Sequence, residues 1–287
     1  MHKMKSEHVK LPPHAPGIST SVVFPADFRP AEHVPIIAQA GFKCIEANCA
    51  FGAPKFEWES AATWREMASV CADNGISLYS IHTPTKLCPE SEIGQAAIDK
   101  TLDILKRSTE FACNLGAAVT VIHARVQGTF GAAVEEAHLR RILDGIADYV
   151  TGLPCRVGWE NDRRSFPPVR HMAWMEDYDP ATMGFVWDTG HSNLTGNSME
   201  YPEACGSRLC SLHINDNDGV SDLHLLPGQG TIEWPPLMKA MMAKGYSGPL
   251  MLEITGHEPP GELARLLDDC MASLRWITEF YDNHSAS

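Results

Sequence analysis

The sequence lacks the features that define several large classes of protein. No apolar run is long enough to span a bilayer, and no Cys-x-x-Cys pair of a zinc ribbon occurs. Lys and Arg number only 23 against 36 Asp and Glu, which leaves a formal net charge of −13. Because such an acidic surface repels phosphate backbones and anionic lipid headgroups, nucleic acid and membranes are poor candidates as partners.

A secretory signal and a disulfide framework are also missing. The nine cysteines are odd in number, and most of them lie inside apolar runs. Residues 1–16 are polar and rich in His, Lys and Pro, without the apolar core of a signal peptide. We therefore expect reduced thiols, a cytoplasmic location, and an N-terminal polar extension over residues 1–16 ahead of one domain over residues 17–287.

Within residues 17–287, short apolar runs alternate with longer amphipathic ones. The short runs contain Val, Ile, Leu and Phe without polar alternation, as expected of strands that are buried on both faces. The predicted strands are Gly17–Val23, Lys43–Glu46, Ser77–His82, Ala118–His123, Arg156–Glu160, Gly184–Asp188, Leu209–His213 and Leu250–Ile254. The predicted helices are Ala31–Ala40, Ser60–Asn74, Ser91–Leu115, Gly131–Val150, Pro235–Lys244 and Gly261–Phe280, with at most a short helix in Asn193–Cys205.

Eight strands that alternate with helices in one uninterrupted chain predict an α/β fold, a single (β/α)₈ TIM barrel. The alternative is an open doubly wound sheet, which normally begins with a glycine-rich turn after its first strand. The segment after Gly17 reads Ile-Ser-Thr-Ser and is not such a turn.

Titratable side chains end seven of the eight predicted strands. They are Glu46, His82, His123, Glu160, Asp188, His213 and Glu253. A single His or Glu at the end of a strand is more often a hydrogen-bonded core residue or the start of a solvated loop. In a barrel, however, all of these ends converge on one face, where crowded carboxylates and imidazoles require a cation.

The mixed oxygen and nitrogen set of Glu160, Asp188, His213 and Glu253 suits Mn²⁺, Mg²⁺, Zn²⁺ or Co²⁺. Further candidates follow two of the strands. His191 stands three residues after Asp188, and Asp222 and His224 lie in the polar loop that follows His213. These three residues are candidates for a second metal site or for orienting a substrate. Trp159 and Trp187 each precede a candidate ligand, so we expect them to point away from the mouth and to serve in packing.

The chain resembles the xylose isomerase-like (β/α)₈ superfamily, which contains sugar and sugar-phosphate isomerases and epimerases as well as endonuclease IV. The resemblance is carried by Gly158-Trp-Glu160-Asn, Asp188-Thr-Gly-His191, His213-Ile-Asn-Asp and Leu252-Glu253. In the epimerase branch the matching Glu, Asp, His and Glu hold one divalent metal. The resemblance therefore implies that Glu160, Asp188, His213 and Glu253 are metal ligands.

The endonuclease branch uses a wider ligand set, and this sequence matches that set too. His82, His123, His191, Asp222 and His224 stand where that branch has further zinc ligands. The acidic composition opposes DNA binding, and basic residues after strand ends are limited to scattered ones such as Lys86, Arg125, Arg163 and Arg164. The chain also departs from the well-known ketose epimerases, which carry a substrate-binding Arg near the position of Gly219.

The resemblance implies a divalent-metal-dependent isomerase or epimerase of a small carbohydrate or sugar phosphate, acting by proton transfer through a metal-bound enediolate. Glu160 and Glu253 are the expected acid and base, and Mn²⁺ or Zn²⁺ is the expected metal, with Mg²⁺ and Co²⁺ as alternatives. His82 and His123 are expected to line the sugar or to hold a second ion. An endonuclease IV-like phosphodiesterase, a sugar dehydratase and a non-catalytic metal- or sugar-binding barrel remain open, as does a homo-oligomer.

Overall fold

The computed structural model describes residues 11–23, 29–49, 57–84, 93–123, 132–162, 167–255 and 262–282. Within these ranges, eight parallel strands form one sheet in the order β7-β6-β5-β4-β3-β2-β1-β8. A parallel bridge between Ile214 and Leu252 joins the two ends, and the Ile214 N–H donates to the Met251 carbonyl at 2.8 Å. The strands are β1 Pro16–Ser19, β2 Cys44–Asn48, β3 Ser77–His82, β4 Val119–Ile122, β5 Arg156–Glu160, β6 Met183–Asp188, β7 Leu209–His213 and β8 Leu250–Leu252.

Helices follow the strands and cover the outside of the barrel, so the predicted (β/α)₈ architecture is confirmed. In the described ranges they are α1 Pro30–Gln39, α2 Ala61–Asp73, α3 Gln95–Leu115, α4 Ala132–Val150, α5 Pro168–Met175, α6 Thr189–Leu194, α7 Glu200–Cys205, α8 Trp234–Ala243 and α9 Leu263–Asp282. Among the described residues, no helix combines the length and apolarity that a membrane crossing requires.

Helical periodicity explains how the outer layer packs on the sheet. On α2, Trp64, Met67 and Cys71 are all buried, and their spacing of three and four residues places them on one face. Every residue of β2 and of β6 is buried, as expected of strands between a packed interior and a helical layer. The short apolar runs in the sequence are therefore the direct result of burial on both faces.

The interior of the barrel is narrow where glycines face it. A Cβ atom on Gly158 would lie 2.5 Å from Cγ2 of Val186, and one on Gly184 would lie 2.6 Å from Sγ of Cys210. Side chains from neighbouring strands thus occupy the space that these two glycines leave.

The predicted first strand is wrong beyond Ser19, because residues Thr20–Val23 form a 3-10 turn. Side-chain hydrogen bonds replace the strand pairing here: the Asn48 N–H donates to Oγ1 of Thr20 at 2.9 Å, and Oγ of Ser21 donates to the Ile254 carbonyl at 2.9 Å. Polar groups that compete for backbone partners commonly end a strand in this way.

Strands β4 and β8 end earlier than predicted, so His123 and Glu253 stand directly after them. Residues 1–10 of the predicted extension lie outside the described residues. So do the predicted helix starts at Ser91, Gly131 and Gly261.

His171 on α5 occupies an apolar position against two aromatic rings. Its ring centroid lies 3.8 Å from that of Trp159 and 4.8 Å from that of Phe185. Both ring nitrogens are buried without a hydrogen-bond partner in the described part of the chain. Burial lowers the pKa of His171 from 6.5 to about 3, because the charged ring cannot be solvated there.

We predict that His171 makes the fold sensitive to acid. Below the unfolded pKa of 6.5 the unfolded chain binds a proton that the folded chain refuses, so stability falls as pH falls toward 3. At about 1.4 kcal/mol per pH unit, the free energy of unfolding of wild type should fall by about 2 kcal/mol relative to that of His171→Leu between about pH 7 and pH 5. Urea unfolding of both proteins measures this difference, and parallel stability curves would contradict the assignment.

Candidate metal site

Four buried side chains from the carboxyl ends of β5 to β8 meet at one point. They are Glu160, Asp188, His213 and Glu253, here called the central group, and one ligand atom from each lies within 4.8 Å of the others. Nδ1 of His213 lies 3.0 Å from Oε1 of Glu160 and 3.2 Å from Oε2 of Glu253. The predicted convergence of these four strand ends is therefore present in the structure.

Besides a trio of His82, His213 and Glu253, which shares two members with the central group, two further groups adjoin it. The His82 group consists of His82, His123 and Glu160, and the His191 group consists of His191, Asp222 and His224. Glu160 belongs to both the central group and the His82 group, since its Oε2 lies 2.8 Å from Nε2 of His123 and 3.3 Å from Nε2 of His82. Both carboxylate oxygens of Glu160 thus face imidazoles.

The His191 group lies nearer to solvent than the other two. Oδ2 of Asp222 is 3.3 Å from Nε2 of His191, and Oδ1 is 3.4 Å from Nε2 of His224. The side chain of Asp222 is 22% exposed, whereas those of Glu160 and His213 are fully buried. The three groups therefore extend from the barrel interior toward its mouth.

Three of the imidazoles are oriented by backbone carbonyls. Nδ1 of His82, His191 and His224 lies 2.8 Å from the carbonyl oxygens of Thr83, Asn161 and Glu253 respectively. Because a carbonyl only accepts, each Nδ1 carries the hydrogen, and the lone pair of the neutral ring is on Nε2, which faces the carboxylates. This arrangement, with one nitrogen donating outward and the other free inward, is typical of metal-bound histidine.

His213 is turned the other way, and Glu46 holds it there. Nε2 of His213 lies 3.0 Å from Oε2 of Glu46, which leaves Nδ1 facing the central group. Ser80 donates to the same Glu46 oxygen at 2.8 Å. Burial alone would raise the pKa of Glu46, but the attraction of His213 holds it below its ordinary value, so Glu46 is ionised and fixes the ring.

Protons on the imidazoles and on Asp188 can compensate the negative charge of the carboxylates in this site. Burial opposes charge on His123, yet the nearby Glu160 raises its pKa to about 9, and carboxylates raise the pKa of His213 well above its ordinary value. Burial raises the pKa of Asp188 to about 6. A divalent cation offers the same compensation without protons.

The donor set fits a divalent metal. Both carboxylate oxygens of Glu160 and Nδ1 of His213 are buried and make no well-aligned hydrogen bond within the described ranges, although imidazole nitrogens lie 2.8 and 3.0 Å from the two oxygens. Buried acceptors that crowd together in this way are well placed to share a cation, and carboxylate oxygens with imidazole nitrogens suit Mn²⁺, Zn²⁺ or Co²⁺.

Two asparagines that sequence reasoning missed position the carboxylates. Nδ2 of Asn48 donates to Oε1 of Glu253 at 3.0 Å, and Nδ2 of Asn215 donates to Oδ2 of Asp188 at 2.9 Å. Each stands two residues after a strand-end candidate, Glu46 or His213, and so extends the inward side of its strand. The alternation of side chains between the two faces of a strand is therefore the sequence signal that could have identified both asparagines. Glu46 lies on the same inward side of β2, and the sequence indicated no role for it.

The two tryptophans beside the ligands pack away from the site, as predicted. Trp159 and Trp187 are buried, and Nε1 of Trp187 donates to Oγ of Ser192 at 3.0 Å. Lys86, Arg125, Arg163 and Arg164, named above as basic residues after strand ends, lie outside the described residues.

Asp216 anchors the loop that carries Asp222 and His224. Its buried carboxylate accepts hydrogen bonds from the backbone N–H groups of Asn217, Gly228 and Ile232, and from Nε1 of Trp234, at 2.9 to 3.2 Å. Asp218 in the same loop is exposed and caps only a local turn. The aspartates of this loop thus have different functions: Asp216 shapes it, and Asp222 faces the site.

We predict that Asp216→Ala lowers the free energy of unfolding by at least about 3 kcal/mol, because it leaves several buried donors without an acceptor. Asp218→Ala serves as the matched control and should leave stability nearly unchanged. Urea denaturation compares the two variants. Equal losses for Asp216→Ala and Asp218→Ala would contradict the anchoring role.

Comparison with known proteins shows which family model and which folds the chain resembles. The model of a family described as xylose isomerase-like TIM barrels matches residues 34–277. A D-tagatose 3-epimerase-like protein has the same fold with a TM-score of 0.76 at 20% identity, over 92% of this chain and 98% of its own. A D-psicose 3-epimerase determined in the presence of D-fructose gives a TM-score of 0.74 at 18% identity, over 92% and 99%.

One curated relative has higher local similarity. Fructoselysine 3-epimerase of Escherichia coli O157:H7 is 39% identical over 56 residues, which is 20% of each chain. Because this match is short and the sequence identities to the solved structures are low, these similarities to individual proteins establish the fold and not the activity.

Proposed function

Because the chain belongs to the family of xylose isomerase-like TIM barrels, we propose that it is a divalent-metal-dependent isomerase or epimerase of a small carbohydrate. The observation that carries the proposal is the central group, buried at the carboxyl ends of the strands where barrel enzymes keep their active sites. The similar proteins are named a D-tagatose 3-epimerase-like protein, a D-psicose 3-epimerase and a fructoselysine 3-epimerase, and these names support the same class.

Glu160, Asp188, His213 and Glu253 would hold the metal, with Mn²⁺ or Zn²⁺ as the expected ion. When bound, the metal supplies a Lewis acid that stabilises negative charge next to the sugar carbonyl. Glu46 and Asn215 support this set by fixing His213 and Asp188.

Glu160 and Glu253 are the proposed acid and base. Asn48 fixes the carboxylate of Glu253 through Oε1, and this carboxylate faces Nδ1 of His213 through Oε2. Removal of a proton by one carboxylate and its return by the other on the opposite face of the same carbon gives an epimer. Return to the neighbouring carbon gives an isomer.

A second candidate function is metal-dependent phosphodiester hydrolysis of abasic DNA. It is favoured by one specific observation, the His82 and His191 groups beside the central group, which together match the wider ligand set of the endonuclease branch. The net charge of −13 argues against it. In an isomerase the same two groups would contact the sugar or hold an additional ion.

We predict that the purified protein contains divalent metal, measurable by elemental analysis. Asp222→Asn should leave the metal of the central group in place, whereas Glu160→Gln should reduce total metal more strongly because Glu160 joins two groups. Asp218→Asn is the control from the same loop. One ion per chain supports the isomerase or epimerase, and three zinc ions support the hydrolase; full activity after exhaustive chelation would contradict both.

We predict that a panel of ketoses and ketose phosphates in D₂O includes a substrate that incorporates solvent deuterium. Glu253→Gln should fold but lower this exchange by at least about 10²-fold, since a proton-transfer group is lost. The exposed Glu176→Gln is the matched control. Undiminished exchange in Glu253→Gln would contradict the assigned role.

The same panel separates the remaining alternatives. A dehydratase would release water and form a new carbonyl product, and a hydrolase would cut an oligonucleotide that contains an abasic site. Metal binding without exchange of any sugar would instead indicate a non-catalytic barrel.

A further inference from the structure

A cavity of about 610 Å³ lies at the end of the barrel opposite the metal site. It is lined by the first residues of several strands, among them Ser77 on β3, Arg156 on β5 and Leu209 on β7. The central group stands at the other ends of β5 to β8. We call this space the amino-end cavity.

Arg156 and Lys244 are the cationic side chains among the described residues that line the amino-end cavity, and the guanidinium of Arg156 reaches into the barrel. Its Nη2 lies 2.9 Å from where a Cβ atom on Gly184 would stand, so the guanidinium uses the space that this glycine leaves. A single long hydrogen bond of 3.4 Å joins Nη2 to the Arg208 carbonyl. Nε is buried and has no hydrogen-bond partner in the described part of the chain.

Among the described lining residues, none supplies a negative charge to Arg156. None of the described residues that line the cavity is Asp or Glu, although the protein as a whole carries a net charge of −13. Lys244 also lines the cavity but is already paired with Glu203 at 2.5 Å. The neighbouring Arg208 has a second buried guanidinium nitrogen, Nη1, without a partner among the described residues.

Arg156 is partly buried, and its Nε is cut off from water. A guanidinium N–H that has lost its hydration and has no carboxylate partner is costly. An anion restores the lost hydrogen bonds, and the planar fork of arginine matches the two oxygens of a carboxylate or a phosphate. The remaining walls include Ala72, Leu78 and Leu115, which favour an apolar body on the anion.

We propose that the amino-end cavity binds a small organic anion whose carboxylate or phosphate pairs with Arg156. The site is separate from the metal site and needs no metal. Butyrate and inorganic phosphate are suitable probes, because the first adds an apolar body to a carboxylate and the second has the phosphate charge alone.

Isothermal titration of the full chain with each probe tests the proposal. Wild type should bind at least one probe saturably with one site per chain, and Arg156→Met should weaken binding by at least about tenfold through loss of a charge-assisted hydrogen bond. Arg275→Met, from the exposed face of α9, and Glu253→Gln, from the metal site, should bind as wild type does. Tighter binding of butyrate identifies a carboxylate ligand, and tighter binding of phosphate identifies a phosphate ester.

Three outcomes would overturn the proposal. They are the absence of saturable binding to wild type, unchanged binding by Arg156→Met, and loss of binding in Glu253→Gln, which would locate the anion at the metal site. If circular dichroism shows that Arg156→Met is unfolded, Arg156→Lys replaces it. This variant keeps the charge and loses the fork, so binding should weaken, and unchanged binding would again contradict the pairing.

Discussion

Glu160, at the end of β5, belongs to both the central group and the His82 group, and the rest of the site depends on this position. Its two buried oxygens face His213 on one side and His82 and His123 on the other. Burial without compensation would raise the pKa of this carboxyl, but the surrounding imidazoles hold it well below its ordinary value. The site is therefore a buried anion that is tolerable only with positive charge around it, from protons or from metal.

Hydrogen bonds to groups outside the site convert this charge cluster into an ordered donor set. The outward nitrogens of His82, His191 and His224 are fixed by backbone carbonyls, and that of His213 by a buried carboxylate. Because a carbonyl position follows from the backbone, the barrel itself determines which nitrogen of three rings faces inward. Such orientation by outer partners supports the metal-binding part of the proposed function.

The two ends of the barrel have opposite chemistry. Carboxylates gather at the carboxyl ends of the strands, while the guanidinium of Arg156 occupies the amino end of β5, where no described lining residue is a carboxylate. At both ends, buried polar atoms lack a well-aligned hydrogen bond within the described residues, namely the oxygens of Glu160 and Nε of Arg156. The interior between them is closed by Val186, Cys210 and the glycines that face them, so the two sites are separate.

Loop structure contributes to the site through a few buried polar contacts. Asp216 ties the loop after β7 to the N-terminal end of α8 through Ile232 and Trp234. His224 has a positive φ of 47°, a conformation that this anchored loop supports. The aspartates of the loop look alike in sequence, and only their contacts separate the anchor Asp216 from the exposed Asp218 and from Asp222 at the site.

The amino-acid sequence by itself determined the barrel and the strand-end residues that form its mouth. Strands buried on both faces must be continuous apolar runs, so the polar residue that ends each run, such as Glu160 or His213, is visible without a structure. The tertiary structure decided which ring nitrogen faces the site, the pairing of His213 with Glu46 across 167 residues of chain, and the burial of Nε of Arg156 without a partner among the described residues. These features depend on register between strands and on rotamers selected by distant neighbours, and neither is encoded in local periodicity.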